Sequence, residues 1–162
     1  MKIFPRVKMS SFSALATTGF AARAAIVAAP LVTAGVLLYS RANRDWYKSL
    51  HHPSPRVSLT VHVVVWIVVA IVLAWTWNRL AVLGPLVDLL FLLVAILQTV
   101  AVYLFFGQKE LQLTRYVLVA TALLLLAVFA MAWYANRTHA ILAGVAAIVY
   151  ALEAFQLFRT YH

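Results

Sequence analysis

Long apolar runs alternate with short polar stretches along this chain. The apolar runs cover about residues 20–39, 58–77, 80–107, 113–134 and 139–158. Each run is close to the roughly 20 residues that an α-helix needs to cross a hydrocarbon core of about 30 Å. Backbone groups in lipid must be satisfied internally, so even the valine-rich second run is expected to be a helix rather than a strand. The pattern predicts an all-α fold, an integral membrane bundle of five transmembrane helices.

Composition supports this prediction and leaves no room for a soluble domain. The 162 residues are 65% hydrophobic and only 10% charged, whereas a soluble domain is about 25% charged. The net charge of +9 comes from basic residues scattered at the ends of the runs, a distribution that suits lipid headgroups better than nucleic acid. We therefore expect membrane lipids and no nucleic acid as partners. The absence of cysteine excludes disulfides and thiolate metal sites.

The N-terminal residues 1–19 are basic, rich in Ser and Thr, and free of acidic residues. They resemble an organelle targeting segment, and an ordinary juxtamembrane tail is an equal alternative. Residues 20–162 then form the membrane domain. The positive-inside bias places the first loop, residues 40–57, and the C-terminus in the cytosol. We expect a multi-pass protein of a mitochondrial or other organelle membrane in a eukaryote, or of the cell envelope in a bacterium.

The first loop, residues 40–57, is longer than a connection between neighbouring helices requires. It contains the stretch RDWYKSLHHPSPR. Pro53 and Pro55 fix their own backbone and bias the preceding residues to extended conformations, so we expect a rigid surface lid without helix. Trp46 and Tyr47 are expected to pack onto the helix ends, either to cap a pocket or as interfacial anchors.

Several motifs carry a resemblance to a known family. They are Trp46-Tyr47-x-x-Leu50-x-His52-Pro53 with Trp66 beyond it, Gln98 followed by Phe105-Phe106-Gly107, and Tyr150 in the last run. Together they resemble the translocator protein and tryptophan-rich sensory protein family, also called the peripheral-type benzodiazepine receptor family, over roughly residues 22–160. The chain departs from that pattern at His52, Gln98 and Glu153, where the family has Lys, Asn and Trp. It also has Ala101 and Tyr103 in place of a Trp and a Pro.

The resemblance implies a receptor or transport-type protein that binds tetrapyrroles, such as porphyrin or haem, or sterols. The ligand would occupy a cavity between the helices that the first loop caps. No cofactor is required, porphyrin or haem being a ligand, and the family pattern implies a homodimer. The residues expected to line the site are Trp46, Tyr47, His62, Trp66, Gln98, Tyr150, Phe105 and Phe106.

Four polar side chains fall within the predicted spans, where such groups are expensive unless paired or facing a cavity. His62 lies four residues before Trp66 on one helix face, and is either a haem ligand or bonded to a neighbouring backbone. Gln98 needs a partner across helices or on a ligand. Asp88 is expected at the interface, paired with Arg79.

Glu153 is expected to be protonated, paired or wet, with Tyr150 as a nearby donor. The last run also carries small residues at helical spacing, which suit close packing against a second subunit or within the chain. These are Ala140, Ala143, Gly144, Ala147 and Ala151.

No set of residues matches a catalytic triad, a metal site or a phosphate-binding loop, so an enzyme is not the favoured interpretation. One alternative is a membrane enzyme that acts on a sterol-like or porphyrin substrate and uses Glu153, Asp88 and His62 as acid–base groups. Another is a membrane scaffold subunit without a small ligand.

Overall fold

Helices make up nearly all of the described chain. This computed structural model describes residues 9–50 and 58–160, with side chains from residue 19 onward. The helices are α1 (Met9–Tyr39), α2 (Arg41–Ser49), α3 (Leu59–Leu80), α4 (Pro85–Val102), α5 (Leu111–Ala132) and α6 (Arg137–Arg159). All except α2 are long and apolar enough to cross a membrane. Over the described ranges, the predicted all-α fold with five membrane spans is confirmed.

The five long helices form a closed ring. Helix α1 packs against α3 and α4, α3 packs against α6, α6 against α5, and α5 against α4. Because consecutive spanning helices alternate in direction, one end of the ring gathers Tyr39, Leu59, Leu111 and Arg159, and we call it the α2 end. The other end, with Leu80, Pro85, Ala132 and Arg137, is the far end.

The outward faces of the long helices are apolar. Val64 and Ile71 on α3 and Val145 and Ile148 on α6 are each more than half exposed. A surface of this kind is unfavourable in water and matches lipid tails, which are as apolar as the side chains themselves.

The small residues of α6 are used inside the chain. Ala140, Ala143 and Ala147 are buried where α6 packs closely against α5. A Cβ atom added at Gly144 would lie 3.1 Å from Cδ2 of Phe129, so the absence of a side chain there permits the approach of α5. The sequence left open whether these small residues pack against a second subunit or within the chain. Most of them pack within the chain, and Ala151 is exposed.

The expectation that the first loop contains no helix is wrong for its first half. Residues Arg41–Ser49 form α2, a nine-residue helix that lies at the end of α1. The proline bias acts only on the residue before each proline, so it does not reach Ser49. Residues 51–57, which include His51, His52, Pro53 and Pro55, lie outside the described part of the chain.

Side chains of α2 satisfy the carbonyl groups that end α1. Arg44 Nη1 donates hydrogen bonds to the carbonyl oxygens of Leu38 at 2.7 Å and Tyr39 at 2.8 Å. Asn43 Nδ2 donates to the Leu37 carbonyl at 2.8 Å. The last turn of a helix otherwise lacks donors for these carbonyls, so these bonds attach α2 to the end of α1.

The connections at the far end are short. A 3-10 turn, Ala81–Leu83, follows α3, and Gly84 then adopts φ 114°, a backbone conformation that favours glycine. Pro85 is in the first turn of α4. Backbone N–H groups at this position have no partner within the helix, so the N–H that proline lacks is not needed. The predicted run 80–107 therefore includes this turn, and its helix begins only at Pro85.

Helix α1 already begins at Met9, inside the segment predicted as a tail or targeting peptide, and residues 1–8 lie outside the described part. Pro30 sits within α1 and is buried. The membrane-spanning part of this helix is Gly19–Tyr39.

Candidate functional site

A cavity of about 350 Å³ opens inside the ring at its α2 end. All five spanning helices and α2 contribute to its lining, which is mainly aromatic and aliphatic. Small-molecule pockets usually have volumes of about 300–1,000 Å³, so this cavity can hold one compact ligand.

Seven of the eight residues that the sequence nominated line this cavity. They are Tyr47, His62, Trp66, Gln98, Phe105, Phe106 and Tyr150. The eighth, Trp46, packs behind the lining with its ring centroid 5.2 Å from that of Phe105, edge to face. Helices α2, α3, α4 and α6 therefore bring together residues that are far apart in sequence.

The α4 end of the cavity is built from a π-helical turn, Tyr103–Gln108. Turns of this kind are rare in proteins overall, and those that occur are often found at functional sites. Phe105 and Phe106 are both buried and lie edge to face, with centroids 4.7 Å apart. Phe106 also contacts Trp66 of α3 and Tyr47 of α2, so the aromatic rings form a continuous wall from the cover to the middle of the ring.

Helix α2 covers this wall. Tyr47 is buried and lines the cavity, while Trp46 is half-buried between Phe105 and Lys109, whose Nζ lies 5.8 Å from the indole centroid. The expected role of the pair, aromatic side chains packed onto helix ends, matches this arrangement, but Tyr47 alone reaches the cavity.

Trp66 and Glu153 form a hydrogen bond across the ring. Trp66 Nε1 on α3 donates to Glu153 Oε1 on α6 at 2.5 Å. Both residues line the cavity, so the bond closes the α3–α6 side of it. The sequence singled out each residue but suggested Tyr150, one turn from Glu153, as the donor, and the structure gives Trp66 that role.

Gln98 presents an unused donor to the cavity. Its side chain is 5% exposed, and within the described part of the chain its Nε2 atom has no hydrogen-bond partner. Leaving such a group unpaired costs about 1–3 kcal/mol, which cavity water or a bound molecule can offset. Of the two predicted uses of Gln98, cavity lining is the one observed.

His62 lies one turn before Trp66 on α3, with ring centroids 6.4 Å apart, edge to face. It lines the cavity between Leu59 and Trp66. Its suggested role as a haem ligand stays a prediction.

Other residues of the lining were not singled out from the sequence as site residues. Those that are polar or proline are Pro30, Thr114, Gln156, Arg159 and Thr160. Gln156 and Thr160 follow Glu153 at three and seven residues, the spacing of one helix face, so this spacing offered a signal for them. Pro30 and Thr114 offered none, because their position depends on how α1 and α5 join the ring.

Asp88 lies outside this cavity and has a different partner from the one expected. Its carboxylate accepts a hydrogen bond from Trp77 Nε1 at 2.6 Å and pairs with Arg23 Nη2 at 3.3 Å. The predicted pairing with Arg79 is therefore wrong, and Arg23 takes its place. Trp77 is 4% exposed and stacks on Phe91.

The alternative of a membrane enzyme grouped His62, Asp88 and Glu153 as acid–base residues. Asp88 lies in the first turn of α4 at the far end, whereas His62 and Glu153 line the cavity at the α2 end. The three side chains therefore do not form one site. Among the residues with described positions, no three His, Asp or Glu side chains are grouped to hold a metal ion.

No curated protein matches the chain. A family model, described as the TspO/MBR family, matches residues 23–155, which include every cavity residue of α2, α3 and α4.

Proposed function

The chain belongs to the TspO/MBR family, and we propose that it binds a flat apolar ligand in the cavity at the α2 end. Membership in this family of membrane proteins supports a receptor or transport-type role. The ligand classes that we propose are tetrapyrroles, such as porphyrin or haem, and sterols. A homodimer is proposed as the functional assembly.

The observation that carries the proposal is the convergence of seven nominated residues on one cavity. Aromatic faces from Tyr47, Trp66, Phe105 and Phe106 supply broad apolar area, and few polar groups interrupt it. Pockets that hold drug-sized ligands have this composition, with a small number of polar groups that fix orientation.

The position of the cavity also supports the proposal. It lies inside the ring near one membrane face, and α2 covers it, attached to α1 by Arg44 and Asn43. A molecule dissolved in lipid or delivered at the surface therefore meets a preformed, mainly apolar space beneath α2.

Titration of the purified protein with protoporphyrin IX and with cholesterol tests the proposal. The ring of Trp66 lines the cavity, so bound porphyrin is expected to quench tryptophan fluorescence saturably. Trp66→Ala should weaken binding at least tenfold. Trp75→Ala is the matched control, since Trp75 lies on the same helix, is 46% exposed and does not line the cavity.

The absence of saturable binding by either compound would contradict the proposal and favour a scaffold without a small ligand. Equal loss of affinity in Trp66→Ala and Trp75→Ala would place the ligand elsewhere on the protein.

A further inference from the structure

The carboxyl group of Glu153 has one oxygen engaged and one open. Oε1 accepts the hydrogen bond of Trp66 Nε1, and among the described residues no other donor or cation reaches the group. Arg159 lines the same cavity, but it lies six residues on, about 9 Å along the helix axis, with its guanidinium 6.0 Å from the Phe155 ring centroid.

The hydrogen bond to Trp66 fixes how this carboxyl group is presented. It consumes the only donor of the indole, so Trp66 can offer a ligand its ring face alone. It also holds Oε1 on the α3 side, which leaves Oε2 as the atom available to a molecule in the cavity.

A second polar group in the cavity is incomplete as well. Gln98 Nε2 is buried, has no hydrogen-bond partner among the residues whose positions are described, and belongs to the same lining. The cavity therefore contains an open acceptor on α6 and an open donor on α4 within walls that are mainly apolar. Buried polar groups are nearly always paired, so these two atoms indicate the polar groups of the molecule that fills the space.

We propose that Glu153 and Gln98 form a polar subsite in which Glu153 accepts a hydrogen bond from a hydroxyl or N–H donor on the ligand. This inference rests on the proposed function and adds the chemistry of the ligand's buried end. Gln98 donates to an acceptor on the same molecule, and an alcohol can serve either residue. A ligand that carries only acceptors at this depth offers no donor to the open oxygen of Glu153.

A pair of sterols that differ in one group tests this subsite. Cholestanol has a hydroxyl where cholestanone has a ketone, so only the first can donate. Each is titrated against the full-length protein in detergent micelles, with protoporphyrin IX quenching measured on the same samples. Glu153→Gln is the informative variant, because its amide oxygen can still accept from Trp66 while its NH₂ group presents a donor in place of the open acceptor.

Asp88→Asn provides the matched control. It makes the same acid-to-amide change in the other carboxylate that accepts a tryptophan hydrogen bond, but at the far end and outside the cavity. Circular dichroism and monodisperse elution of both variants show whether the helices and the assembly are intact.

Wild type and Asp88→Asn should bind cholestanol at least about tenfold more tightly than cholestanone, the effect of one buried hydrogen bond. In Glu153→Gln this preference should fall below about threefold or reverse. An equal preference in wild type and Glu153→Gln, or saturable porphyrin binding without discrimination between the sterols, would overturn this inference alone. Absence of binding by all three compounds would overturn the proposed function with it.

Discussion

Each end of the helix ring holds a tryptophan bonded to a carboxylate, and the two pairs have different surroundings. At the far end, Trp77 is stacked at 5.5 Å on Phe91, and Asp88 also pairs with Arg23. At the α2 end, Trp66 lies on a cavity wall and Glu153 has no cation among the described residues. The same bond thus completes a packed cluster in one place and leaves an open polar group in the other.

The difference shows what separates a structural pair from a candidate binding pair. Arg23, Trp77 and Asp88 belong to α1, α3 and α4, so the far-end cluster ties three helices together and uses its polar atoms on one another. Trp66 and Glu153 join only two helices, and their remaining hydrogen-bonding capacity faces a space. We infer that the far end holds the ring together and the α2 end receives the ligand.

The largest expected effect comes from truncating the two indoles. Trp77→Ala should lower the free energy of unfolding by about 3–5 kcal/mol, as for other buried aromatic residues. Trp66→Ala should cost less than half as much, because one side of its ring already borders a cavity. Thermal unfolding in detergent, followed by circular dichroism, measures both. Equal losses would mean that the two ends do not differ in packing.

Neutralising the two carboxylates sharpens the comparison. Asp88→Asn keeps an acceptor for Trp77 but leaves Arg23 without its counter-charge, so the protein should lose about 1–2 kcal/mol. Glu153→Gln keeps an acceptor for Trp66 in a group that pairs with no cation among the described residues, so unfolding should be unchanged or occur at a higher temperature. A larger loss in Glu153→Gln than in Asp88→Asn would contradict this assignment of roles.

Two unpaired polar side chains, one at each end, allow a matched test. Gln98→Leu at the cavity and Thr76→Val at the far end each remove a buried polar atom that has no partner in residues 9–50 and 58–160. Each should raise the free energy of unfolding by about 1 kcal/mol. Only Gln98→Leu should weaken ligand binding, by about tenfold in the fluorescence titration. Loss of binding in Thr76→Val would show that the far end contributes to the site.

The smallest effect concerns the attachment of α2. Arg44→Ala removes two exposed hydrogen bonds to the end of α1, which water can replace, so stability should fall by only about 0.5 kcal/mol. Ligand association and dissociation should both accelerate in stopped-flow quenching if α2 covers the cavity. Arg137→Ala at the far end is the control, and equal rates in wild type and Arg44→Ala would contradict a covering role.

The sequence predicted the spanning helices well and the short helix poorly. A span in lipid must satisfy its own backbone, so local hydropathy alone identifies it. Helix α2 is only nine residues long, and isolated helices of that length are marginal. Its bonds to Leu37, Leu38 and Tyr39 depend on how the chain turns after α1.

Site residues were predicted better than their partners. Motif resemblance nominated Tyr47, Trp66 and Gln98 because each residue type is visible at its own position. The bond between Trp66 and Glu153 joins residues 87 positions apart, and the partner of Asp88 proved to be Arg23 rather than Arg79. Pairing depends on which helices are neighbours and on how each is rotated.

The sequence by itself determined that this protein is a bundle of membrane-spanning helices and which polar residues lie within them, because helical hydrogen bonds and lipid burial are local properties. Only the tertiary structure decided which end is packed and which contains a cavity. Lipid tails are as apolar as the side chains, so hydrophobicity alone does not decide which face of a helix turns toward the other helices. The closing of the ring from α1 to α4 and from α3 to α6 therefore sets where side chains fill the interior and where they leave space.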